Sequence, residues 1–70
     1  MRVRDRLTFL YVERCTINRD SNAITVADGH GIAHVPAAAL SVLLLGPGVR
    51  ITHSAVSVLS ESGSTIVWVG

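Results

Sequence analysis

Three histidines, one cysteine and five acids are the groups in this 70-residue chain that are able to do chemistry, and their spacing argues against most of it. His30 and His34 stand four apart, as two ligands on one helical turn would, but Gly29 and Gly31 flank His30 and put the pair on a turn and a strand. His53 stands where a helix begins, and a locally hydrogen-bonded role suits it better than a metal or a proton relay. Cys15 has no base beside it in sequence to lower its pKa, so it is expected in a core. A small enzyme built on His53 with Glu61 or Cys15 would lack a base, an orienting group and a water-excluding pocket. Gly46-Pro47-Gly48 carries neither the lysine of a phosphate loop nor dinucleotide-fingerprint spacing, and is a turn.

The basic residues are six arginines and no lysine. A guanidinium is a planar fork suited to phosphate or carboxylate, although a high-GC genome would give the same bias. Net charge is only +1, so bulk electrostatics do not by themselves announce a polyanion partner. Arg50, just before a helix start, fits two descriptions: a phosphate ligand beside unpaired helical N–H groups, or a solvated loop arginine. A single cysteine allows no internal disulfide and fits a reducing, cytoplasmic setting. The apolar run after Arg2, Arg4 and Arg6 is too short and too charged for a signal peptide or a membrane span.

The elements that must position these groups follow from alternation and punctuation. The 49% apolar content excludes disorder. Residues 7–12 form a first strand, with Leu7, Phe9 and Tyr11 on one face. Cys15 and Ile17 alternate with Arg14, Thr16 and Asn18 as a strand with one wet face. Asp20-Ser21-Asn22 turns the chain into a strand at 23–27, Asp28-Gly29-His30-Gly31 turns it again, and a strand at 32–35 ends at Pro36. Residues 41–45 read as a strand buried on both faces. Thr52 is the N-cap of a helix from His53 to Ser62 with Ala55, Val56 and Leu59 on one face, and Gly63 stops it. Residues 65–69 are a further buried strand, with Trp68 expected in a core and a base-stacking role for it or Tyr11 less favoured. The predicted class is α+β, mostly β, with antiparallel strands feeding one right-handed β-α-β unit. Because Gly70 follows a buried strand directly, the chain is expected to be a fragment.

The succession Arg6-Leu7-Thr8-Phe9-Leu10-Tyr11, Ile24-Thr25-Val26 with Asp28-Gly29, Val35-Pro36, Leu43-Leu44-Leu45-Gly46-Pro47-Gly48, Thr52-His53-Ser54-Ala55-Val56 and Val67-Trp68-Val69-Gly70 resembles the N-terminal β-domain of the CRISPR-associated integrase Cas-one, most closely its type I-E branch. The resemblance runs from about Arg6 to Gly70. It implies a complete protein that is a DNA endonuclease and integrase dependent on magnesium or manganese. That protein works with a Cas-two partner in antiviral defence, in spacer acquisition: foreign DNA enters the CRISPR array by attack of a 3′-hydroxyl on a phosphodiester. It further implies that residues 1–70 are a truncated β-domain, that the metal site lies in a helical domain outside this chain, and that no catalytic or metal residue is present here. For the β-domain itself the implied roles are homodimer formation and bracketing of double-stranded DNA. Two positions carry over as nucleic-acid-binding: Arg50, which matches a basic position facing DNA backbone, and Arg14, which stands where some relatives place an aromatic wedge on the duplex end. The competing expectation is a stand-alone β-rich protein-interaction module that binds no DNA.

Overall fold

The computed structural model describes residues 8–70; the start of the first strand at Leu7, the Arg6-Leu7 part of the family pattern and the arginines at 2, 4 and 6 lie outside the described residues. Seven strands and one helix follow: β1 Phe9–Val12, β2 Thr16–Asp20, β3 Ala23–Asp28, β4 Gly31–Pro36, β5 Val42–Leu45, β6 Arg50–Ile51, α1 His53–Glu61 and β7 Thr65–Trp68.

Local chemistry accounts for the joints. Ser21 and Asn22 make a two-residue hairpin turn between β2 and β3, with Ser21 in the left-handed region at φ 55°. The Asp28 carboxylate accepts hydrogen bonds from the His30 and Gly31 N–H groups, at 2.7 and 3.2 Å, and so builds the β3–β4 turn. Pro36 ends β4, and a single 3-10 turn, Ala37–Ala39, carries the chain into β5. Thr52 caps α1, its Oγ1 accepting from the Ala55 N–H at 3.2 Å. Gly63, at φ 81°, closes the helix with paired bonds from its own N–H to Ser60 O and from Ser64 N–H to Leu59 O, the geometry of a Schellman stop.

Two sheets result. β2, β3 and β4 form the expected antiparallel meander, and β5, α1 and β7 form the expected crossover with parallel strands. β1 departs from expectation: instead of joining the meander it lies parallel to β5, giving a three-stranded parallel sheet in the order β1-β5-β7. The meander thus serves as the long connection that a parallel pair requires. β6, two residues too short to show a period, pairs parallel with β2 and completes the second sheet as β4-β3-β2-β6.

The core lies between these layers. Ile17 and Ile24 from the second sheet, Leu43 and Leu45 from the first, and Ala55, Val58 and Leu59 from α1 are buried together with Cys15, Ala37 and Leu40. The spacing of the three helical residues is the i, i+3, i+4 stripe of a helix with one dry face. The parallel sheet is dry on one side only. Leu10, Leu43 and Ile66 pair across the inward face, while Phe9, Tyr11 and Val67 stand on the other at 66, 49 and 37% exposure. The expectation that 41–45 is covered on both faces therefore fails for Val42 and Leu44, which are only half-buried. Trp68 also departs from its expected core position: it shares the inward parity of Leu45, but it ends an edge strand and is 60% exposed.

Candidate nucleic-acid interface

The two arginines singled out by sequence, 36 positions apart, arrive at one place because of how β2 begins. Thr16, its first residue, pairs with Ala27 on one side and Arg50 on the other. The Arg50 N–H donates to Cys15 O at 2.9 Å, locking β6 against the start of β2. Arg14 stands two residues ahead of Thr16 in the left-handed region, φ 50°, and its N–H donates to Pro47 O at 3.0 Å. The Gly46-Pro47-Gly48 turn is therefore the seat of Arg14. A Cβ at Gly48, itself at φ 77°, would lie 3.2 Å from Arg14 Cγ, and one at Gly46 would collide with the Tyr11 ring.

Arg14, Cys15, Thr16, Ala27, Asp28, Gly48 and Arg50 line a shallow concave surface of about 510 Å³ at this end of the four-stranded sheet. Its charges are two guanidiniums and one carboxylate. Arg14 is ion-paired with Glu13, whose other oxygen accepts from the Tyr11 hydroxyl at 3.0 Å. Arg50 has no side-chain partner among the described residues, so in the free protein its guanidinium is the more available of the two. Cys15 forms part of the floor and is 6% exposed; burial first, and the Asp28 charge second, push its thiol pKa up, which keeps it neutral. That is core behaviour, as its alternation with Arg14 and Thr16 implies. Arg50 stands two residues before the Thr52 cap of α1, and the first turn of the helix is not among the residues lining this surface.

The other candidates stay apart. His30 is exposed on its turn and His53 exposed at the helix start. His34 Nε2 lies 3.6 Å from Asp20 Oδ2 on the surface of the meander. Among the described residues no three histidine, cysteine or acidic side chains converge as a cation would require. Sequence reasoning missed Glu13 and Asp28 as neighbours of the arginines: Asp28 was legible only as turn chemistry, and Glu13 carried no signal. Among the described residues no helix is long and apolar enough to cross a membrane.

No family model matches the chain. It is 48% identical over 69 residues to a CRISPR-associated endonuclease Cas1 of a Clostridium species, covering 99% of this chain and 23% of that protein. To a second such endonuclease, from Thermus thermophilus, it is 49% identical over 67 residues, covering 96% of this chain and 21% of the relative. The chain thus spans less than a quarter of the length of these curated relatives. Among solved structures it superposes on a TtCas1–DNA complex with a TM-score of 0.87 at 48% identity, covering 99% of this chain and 26% of that one.

Proposed function

Because the chain corresponds to the N-terminal part of a Cas1 CRISPR-associated endonuclease, we propose that it is the β-domain of a CRISPR adaptation integrase and that it holds duplex DNA through Arg14 and Arg50. The observation that carries this reading is the convergence of the two arginines on one concave surface. A relative of the same fold is known in a complex with DNA, which makes a phosphate backbone the natural occupant. Guanidiniums at that surface neutralise phosphates and fix the register of a duplex without reading its sequence. The contribution is geometric: it sets where the duplex lies relative to chemistry performed elsewhere.

The resemblance is nearest to the type I-E branch, and the same reading includes work in the cytoplasm with a Cas-two partner. In this reading residues 1–70 are one domain of a longer protein, whose helical domain would bind magnesium or manganese and perform endonuclease and integrase chemistry. The described residues here do not fit such an ion, since no three suitable ligands converge, and no catalytic step is assigned to them.

Titration of a short duplex against wild type, Arg14→Ala, Arg50→Ala and the double variant over 50–200 mM salt tests the proposal. Each phosphate that a variant leaves unneutralised should reduce the slope of log K against log salt by about 0.9. A double variant that binds with wild-type affinity and slope would sink it.

The second reading, a protein-interaction module, is favoured by the uncovered apolar face carrying Phe9, Tyr11 and Val67. Parallel sheets are ordinarily covered on both sides. Pairing of two copies across this face accommodates both readings, and only the duplex titration separates them.

A further inference from the structure

Glu13 lies beside the concave surface and has two partners, both on its own short segment. Oε2 holds the Arg14 guanidinium, and Oε1 accepts from the Tyr11 hydroxyl at 3.0 Å. Each of these partners is itself anchored. The Arg14 backbone is pinned to Pro47 O, and the Tyr11 ring lies over Gly46. Tyr11 therefore does more than decorate the sheet: its hydroxyl keeps the carboxylate at the guanidinium when the alternative is to swing into water. The exposures, 71% for the Arg14 side chain and 42% for Glu13, leave the pair open to a competing anion.

We propose that Glu13 is an intramolecular counter-ion that occupies Arg14 in the free protein and is displaced from it by a DNA phosphate, so that Arg50 makes first contact and Arg14 engages by exchange. This rests on the duplex-binding reading above. The charge accounting gives it a measurable form. When a phosphate takes Arg14, the Glu13 carboxylate loses its partner, and the cost of breaking that pair is subtracted from the affinity. The two arginine contacts set the salt slope, and the exchange shows in the affinity. The expected gain in affinity on removing Glu13 is about threefold, which is about 0.65 kcal/mol and within the range of an exposed ion pair.

Fluorescence anisotropy of a labelled blunt duplex from 50 to 200 mM sodium chloride distinguishes exchange from simple repulsion between Glu13 and DNA. Glu13→Gln in the wild-type background should bind about threefold more tightly at the low-salt end. In the Arg14→Ala background the same substitution should leave the affinity unchanged. Glu13→Asp, which restores the charge, should return the affinity to the wild-type value, a rescue that a packing role would not produce. Equal tightening in both backgrounds would make Glu13 a merely repulsive charge and overturn the proposal. So would unchanged or weaker binding by Glu13→Gln. If Arg50→Ala leaves the wild-type affinity unaltered, the underlying assignment of this surface fails, an outcome separate from failure of the exchange alone.

Discussion

At the scale of single residues, the neighbourhood of Arg14 shows how one side chain depends on several backbone decisions. Its left-handed φ, its bond to Pro47 O and the bare α-carbon of Gly48 are parts of one turn-on-turn contact. Cys15, next along the chain, gives a pH prediction. Its folded-state pKa is raised by burial, so the buried neutral thiol contributes stability that is fully present below the unfolded pKa and is lost as pH rises through the folded one. Urea unfolding should thus show a midpoint that falls on the alkaline side of the ordinary thiol range. Cys15→Ala should remove that part of the fall, and the native thiol should react with a disulfide reagent far more slowly than the denatured one. Tyr11 is shifted in the same direction, first by its hydrogen bond to Glu13, so the comparison must be made against the Cys15→Ala background.

At the scale of elements, the helix carries its start and stop signals in its own residues. Thr52→Ala deletes the acceptor for the Ala55 N–H and should cost about 1 kcal/mol of unfolding free energy, with Thr52→Ser nearly neutral. Gly63→Ala forces a Cβ into φ 81° and should cost about 1 kcal/mol as well. Both are checked by denaturant titration at constant m-value. The strands were less self-explanatory. Alternation around Ile17 announced which side of β2 is dry, and Pro36 announced the end of β4. Nothing in Phe9-Leu10-Tyr11-Val12 says that its partner is β5, because period reports a strand's faces and not its neighbour.

At the scale of the whole molecule, a small core has to hold two sheets and a helix together. A chain of this size retains on the order of 5 kcal/mol of net stability. Leu43 is fully buried at the centre of the parallel sheet, and Leu43→Ala should cost about 2–5 kcal/mol, enough to populate the unfolded state at room temperature. Phe9→Ser on the opposite face should leave monomer stability within about 0.5 kcal/mol. It should nonetheless weaken self-association measured by sedimentation equilibrium if the apolar face pairs two copies. Equal self-association in the variant would place pairing elsewhere on the molecule.

The sequence by itself determined the class, the meander, the crossover, the helix caps and the absence of local catalytic spacing, because each of these is written in residues close together along the chain. It also marked Arg14 through a resemblance alone, and Arg50 through its place before a helix start together with that resemblance. Only the tertiary structure decided that β1 leaves the meander, that β6 exists, that Trp68 is exposed at the end of an edge strand, that Phe9 faces outward, and that Arg14, Arg50 and Asp28 share one surface. The physical reason is the same in each case. Which strand lies beside which, and how far a layer extends over its neighbour, is settled by packing between segments distant in sequence, and local periodicity carries no record of it.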